Sequence, residues 1–202
     1  MPLPSIDRRR FFDGYRLDFG ALTQPQVDGL NAILDEAEAP GRVESLEQLA
    51  YILATAYWET ARTFQPIREY GRGKGRRYGV PDPETGQVFY GRGFVQLTWR
   101  GNYARCSELL REFGYGVDLE LDPDEAMVPK YAELILIVGM MRGVFGGGGL
   151  PRWISPPRVD YRNARRTVNV LDQADEIAEL AERFEAILRA ATETAPEAVA
   201  IS

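Results

Sequence analysis

Apolar residues in this chain recur every three or four positions, and the runs open on polar start signals, so most of the chain is committed to amphipathic helices. Thr23 with Gln26, and Ser45 with Gln48, have the spacing of capping boxes, in which two side chains satisfy free backbone N–H groups at a helix start. Behind the first lie Val27, Leu30, Ile33 and Leu34, in a helix expected to stop before Pro40-Gly41. Behind the second lie Leu49, Ile52, Leu53 and Ala56, in a helix expected over Ser45–Ala61. A weaker pattern over Ser5–Tyr15 is anchored by Ile6, Phe11 and Phe12, and Gly20 separates it from the next unit. Further helices are expected over Asn102–Phe113, over the more apolar Pro129–Phe145, and over Ala174–Ala190. The glycine run Gly146–Gly149 closes the second of these, and Ile177, Leu180, Ala181, Phe184 and Leu188 line the third. The tail after Thr192 reads as frayed.

Strand signals are weak. YGRGKGRRYG and PDPETG read as loop and turn, Gln87–Tyr90 as one arm of a short hairpin, and Pro151–Asp160 as irregular. There is no internal repeat and no flexible linker. The expectation is one mainly α domain over residues 1–202, with a small irregular or β-hairpin lobe between residues 63 and 97.

Composition narrows the chemistry. The 202 residues are enough for a real core, and 45% apolar with 27% charged residues suits a globular chain. The net charge of −6 argues against a nucleic-acid partner, the Arg72–Arg77 stretch being the one strong local exception. With no histidine, the usual Ser-His-Asp arrangement is excluded. One cysteine, Cys106, rules out an internal disulfide and has no histidine to activate it, so a small buried hydrophobe is expected there. One cysteine and no histidine leave only carboxylates for a metal, and neither metal nor cofactor is expected. MPLPSIDRRR lacks the apolar core of a signal peptide, so cytoplasmic synthesis is expected. LILIVGMM, residues 134–141, is far too short to span a bilayer, and no membrane insertion is expected. A monomer is expected.

Glu59 stands out on physical grounds. It shares a helix face with Ile52 and Ala56, at the end of an apolar stripe. A carboxylate there is costly unless paired or protonated, and burial would raise its pKa toward what a general acid needs. The alternative is a helix-terminal Glu paired with Arg62 or Arg68. Around it, Tyr57, Trp58, Tyr70, Tyr78, Tyr90, Phe94, Trp99 and Tyr103 alternate with Gln65, Gln87, Gln96, Thr98 and Asn102. Aromatic platforms with neutral hydrogen-bonding groups suit a sugar chain, although many such aromatics belong to a core. Glycosidic cleavage needs a second carboxylate, and Glu69 is the nearest, with Asp82 and Glu84 as alternatives on the turn.

ILATAYWETARTFQPIREYG followed by VFYGRGFVQLTWRGNY resembles glycoside hydrolase family 19, a group of chitinases and related phage or bacterial peptidoglycan-cleaving lysozymes. The resemblance continues through DLELDPDEAMVPKYAELILIVGMMRGVF to RNARRTVNVLDQADEIAELAERFEAIL, covering about residues 22–190. YGRG-x-x-QLT-x-x-x-NY is its specific part. The resemblance implies a lysozyme-like helical fold with a cleft between lobes, Glu59 as general acid, and Glu69 as the base that activates water in an inverting reaction. It implies that Gln96 and Thr98 hold substrate and water, with Thr98 counted among the catalytic residues. It also places Asn102, Tyr103 and Asn169, with Arg165 or Arg166 near the last, at the substrate; the aromatic Trp58 and Tyr90 and the cation Arg68 are the further candidates for substrate contact. The chain departs from the family pattern at Trp58, where histidine is usual, and at Val170, where glycine usually follows the asparagine. Three functions are compatible: an endolysin-like muramidase acting on the cell wall after release, a chitinase, and a sugar-binding or structural protein without activity. Clustered Arg68, Arg72, Lys74, Arg76 and Arg77 beside Glu69 would attract an anionic polymer, unless they pair with Asp82 and Glu84.

Overall fold

The computed structural model describes residues 3–192, so the tail expected to fray lies outside the described residues. Among these residues the helices α1 (Arg8–Phe19), α2 (Gln24–Glu38) and α3 (Leu46–Glu59) come first. A lobe with the short strands β1 (Ile67–Arg68) and β2 (Arg92–Gly93) follows. Then come α4 (Arg100–Glu112), α5 (Pro129–Arg142), the hairpin strands β3 (Ile154–Ser155) and β4 (Arg158–Val159), α6 (Tyr161–Ala164) and α7 (Ala174–Thr192). The expected mainly α architecture is what the chain adopts. The stretch over residues 151–160 expected to be irregular contains the β3–β4 pair, Ile154 opposite Val159.

α3 is the axis of the fold. Every residue from Glu47 to Tyr57 is buried, so the helix is enclosed on all sides. Ala50, Ala54 and Ala56 keep its girth small where α7 and α5 pack against it. α7 presents Ile177, Leu180, Ala181, Phe184, Ile187 and Leu188 to α3 and α1, with Asp175 and Glu176 in its first turn, where the helix dipole favours negative charge. Fully burying side chains such as Ile52, Leu53 and Phe184 contributes about 1.5–3 kcal/mol each.

The first capping box forms as expected: the Thr23 side chain faces the Gln26 N–H and the Gln26 side chain accepts the Thr23 N–H at 2.8 Å. At the second, Ser45 Oγ accepts the Gln48 N–H, but the Gln48 side chain accepts from Glu44 N and donates to Ile154 O at 2.9 Å. Gln48 thus ties the start of α3 to β3, 106 residues away.

α3 ends at Glu59, not Ala61. The Thr60 hydroxyl donates to Ala56 O at 2.7 Å and accepts the Phe64 N–H at 3.0 Å, closing the turn. Ala61, Arg62 and Phe64 then take positive φ values of 50°, 69° and 50°. Such conformations are costly for residues with a Cβ and persist only where the surroundings impose them. Here Phe64 is locked among Tyr15, Tyr57 and Phe184, and Gln26 and Gln65 tie the turn to the start of α2.

The lobe expected over residues 63–97 is present, but its strands are not a local hairpin. Ile67 pairs with Gly93 and Arg68 with Arg92, and Gln87–Tyr90 is not a strand. Arg92 holds this lobe together. It is buried, lies 3.6 Å over the Tyr90 ring, donates to Val88 O, Tyr90 O and the Tyr103 hydroxyl, and pairs with Asp124 at 2.7 Å. On the far side, α5 stops at Arg142, three residues before its expected end, and the glycine-rich loop folds back instead. Gly147 lies so close to the Arg166 carbonyl that a Cβ there would be 1.4 Å from it. Only glycine permits this approach, which seats the loop beside the segment after α6. No helix among the described residues is long and apolar enough to cross a membrane.

Candidate active site

Glu59 sits where two cavities meet. The larger, about 750 Å³, is lined by Glu59, Gln96, Thr98, Trp99, Asn102, Phe145, Gly147, Arg152, Trp153, Arg166, Val168, Asn169 and neighbouring residues. The smaller, about 270 Å³, is lined by Trp58, Glu59, Ile67, Arg68, Glu69, Tyr70 and Gln96. Glu59 and Gln96 line both, so the two form a continuous cleft between the helical body and the lobe.

The Glu59 carboxylate is largely buried, its side chain 14% exposed, and accepts a hydrogen bond from Arg165 Nη1 at 2.7 Å. Burial raises its pKa above the ordinary value, the Arg165 guanidinium pulls it part of the way back, and Asp172 pushes it up. Arg165 is itself buried and donates through Nε to Asp172 O, which fixes its plane. The result is an acid that keeps its proton to higher pH than a surface glutamate while its oxygen reaches the cleft. Neither expected partner holds Glu59: Arg62 lies over the Tyr57 ring, and Arg68 pairs with Asp124.

Glu69 is held differently. Its backbone N–H donates to Gly91 O at 2.8 Å, and its carboxylate accepts from the Tyr78 hydroxyl at 3.0 Å and from Gly91 N at 3.2 Å. A Cβ on Gly91 would lie 2.7 Å from Gln96 Oε1 and 3.3 Å from Glu69 Cβ. The glycine therefore lets Glu69 and Gln96 share one corner. Gln96 is held at φ 50° and donates to Ile67 O and Gly93 O. Asn102 lines the cleft and donates to Thr98 O, fixing the loop that carries Thr98. Asn169 is exposed at the cleft and caps its own turn by accepting from Val170 N. Trp58 is 38% exposed and lines the smaller cavity beside Arg68.

Three expected substrate contacts are corrected. Tyr103 is fully buried, and its hydroxyl donates to Tyr90 O at 2.6 Å, so it pins the lobe and lines neither cavity. Tyr90 is buried beneath the Arg92 guanidinium. Arg165 reaches Glu59, not the cleft surface. Asp82 and Glu84, the alternative second carboxylates, pair with Arg100 and line neither cavity of the cleft. Arg152, Trp153 and Phe145 line the cleft and were not anticipated; the glycine run that brings them there reads in sequence only as a helix stop. No group of three acidic or cysteine side chains placed to hold a metal ion is found among the described residues.

No family model matches the sequence, and no curated protein matches it. Solved structures do. Chitinase C from Streptomyces griseus HUT6037 is similar with a TM-score of 0.54 and 21% identity, over 94% of this chain and 95% of that one. A bacterial family 19 chitinase gives 0.54 and 20%, over 91% and 94%. A class IV chitinase of the same family from Zea mays gives 0.52 and 18%, over 92% and 93%. At these identities the likeness is one of architecture: the chain has the mainly α, lysozyme-like fold of the family 19 chitinases.

Proposed function

We propose that this protein hydrolyses the β-1,4 glycosidic bonds of an amino-sugar polymer, with Glu59 as general acid and Glu69 as general base. The observation that carries the reading is the pair of unlike carboxylates on one cleft. Glu59 is buried and biased toward its protonated form, whereas Glu69 is oriented by two donors in the smaller cavity. Two carboxyl groups in different environments are what protonation of a leaving oxygen and activation of water require. Glu59 delivers its proton to the glycosidic oxygen while Glu69 removes a proton from the attacking water, and the anomeric carbon is inverted. Gln96, which lines both cavities, and Thr98, in the larger one, position sugar and water.

The polymer is peptidoglycan in this reading, and the protein acts as a muramidase on the cell wall after release from the cytoplasm. A second reading, chitin, is favoured by the fold, since the similar structures are described as chitinases. Purified peptidoglycan and soluble chitin oligomers, each treated with wild type and Glu59→Gln, separate the two. Mass spectra should show muropeptides with intact stem peptides from wild type and essentially none from the variant. Cleavage of chitin alone selects the second reading. If folded wild type cuts neither polymer between pH 5 and 8, hydrolysis is the wrong function.

A further inference from the structure

The larger cavity carries positive charge that the proposed reaction does not use. The charged side chains lining it are Glu59, Arg152 and Arg166. Glu59 is held by Arg165, and neither Arg152 nor Arg166 has an acidic partner among the described residues. Arg166 donates through Nε to Asn163 Oδ1 at 3.2 Å, and its two terminal nitrogens have no hydrogen-bond partner among the described residues. Asn163 is in turn held by Asp160, so the guanidinium is braced from behind by a neutral amide. Arg152 lies 5.0 Å from the Trp153 ring centre, and its stem packs against Gly148. The close approach of Gly147 to the Arg166 carbonyl locks the two cation-bearing segments together.

The setting gives this charge a direction. The whole chain carries −6, yet this cavity has one carboxylate, already paired, and two guanidiniums without an acidic partner among the described residues. Both guanidiniums are exposed to solvent at the cleft, and the guanidinium fork matches a carboxylate in two-point contact. On the other side of Glu59, Arg68 is consumed by Asp124, and Arg72, Lys74, Arg76 and Arg77 line neither cavity of the cleft. The cations inside the cleft are therefore not those that the sequence brings to notice.

We propose that Arg152 and Arg166 form a subsite for a carboxylate borne on a branch of the sugar chain, and so select a polymer with acidic branches over a neutral one. The proposal rests on the reading of the cleft as a polysaccharide site. Chitin has no such carboxylate, whereas the lactyl-peptide branch on alternate sugars of peptidoglycan does. The pair thus determines specificity without taking part in bond cleavage.

The test uses the Glu59→Gln protein, to prevent turnover, and two soluble ligands with one sugar backbone. One is a β-1,4 muramyl-glucosaminyl oligomer with free branch carboxylates; the other is the same oligomer with those carboxylates converted to amides. Calorimetric titration at low salt should show the acid form binding about 10-fold or more tightly than the amide, the size of one charge-assisted contact. That preference should shrink at 0.5 M salt. Adding Arg152→Gln and Arg166→Gln should bring it to within about twofold, and each single change should lower it severalfold. Arg72→Gln with Arg76→Gln, on the exposed loop, should leave the preference in place. Thermal melts establish that each variant is folded. A parent protein without preference, binding of neither ligand, or a preference that survives loss of both guanidiniums overturns the proposal. The two readings fail separately: wild type that cuts no polymer but prefers the acid ligand keeps the subsite and loses the hydrolase, and cleavage without preference does the reverse.

Discussion

Replacing Arg165 by Met removes the counter-ion of Glu59 while filling much of the same space, and the structure sets what this should cost. Arg165 is 2% exposed and its contact with Glu59 is 2.7 Å, so water cannot readily take the place of the guanidinium. Removing one member of a buried pair typically costs about 3–5 kcal/mol. The pH dependence follows from the direction of the Glu59 shift. Its folded pKa lies above the unfolded value of 4.5, so its contribution is fully present below that value and is lost as pH rises through the folded pKa. Without Arg165 the folded pKa climbs further, and the decline extends to higher pH. The variant should therefore lose about 3–5 kcal/mol at pH 8. At pH 4 it should lose only about 1 kcal/mol, the hydrogen bond to Asp172 O. For a chain of this size the loss at pH 8 lowers Tm by roughly 6–20 °C. Scanning calorimetry of both proteins at the two pH values decides it. A loss under about 1 kcal/mol at pH 8, or one equally large at pH 4, would refute the claim that Arg165 stabilises a buried ionised Glu59.

Gly91→Ala should stay folded, because the new Cβ meets the flexible end of Gln96, but it should displace Gln96 from Glu69 and lower kcat by about 10-fold or more; unchanged turnover would remove this corner from the site. Thr98→Val should leave Tm within about 2 °C and lower kcat/KM by about 3- to 10-fold, the worth of one hydrogen bond, in a steady-state assay on the polymer. Cys106 is fully buried and its thiol is pushed up to about 12 by burial, so a thiol reagent at pH 8 should label it only when the protein unfolds. Rapid labelling of the native protein would show the α4 packing to be wrong.

The helices were legible in the sequence because their signals are local. The apolar period of α3 and α7 and the polar starts at Thr23 and Ser45 each lie within a few residues of what they specify. Glu59 was legible for the same reason, as an acid at the end of an apolar stripe. What escaped depends on contacts distant in sequence. The end of α3 is set by the Thr60 hydroxyl and by straps to α2, not by the stripe itself. The partner of Glu59 is Arg165, 106 residues away, whereas nearby Arg62 and Arg68 offered the more obvious pairing. Tyr103 stands in a string that resembles a family motif, yet its burial follows from Arg92 and Tyr90 folding over it. Gly147 reads as a helix stop until the close approach to Arg166 shows what its missing side chain permits.

The central claim, that Glu59 gives a proton to the departing oxygen, is tested most directly by how much its loss depends on the leaving group. From an oligosaccharide with a dinitrophenyl aglycone the dinitrophenolate leaves without protonation, whereas the sugar oxygen that leaves from a sugar–sugar bond needs a proton. Comparing kcat/KM of wild type and Glu59→Gln on the two substrates isolates that proton. The variant should lose about 10²–10⁴-fold on the sugar–sugar bond and remain within about 10-fold of wild type on the dinitrophenyl glycoside. Equal losses on both substrates, or no loss on the natural bond, would contradict the assignment.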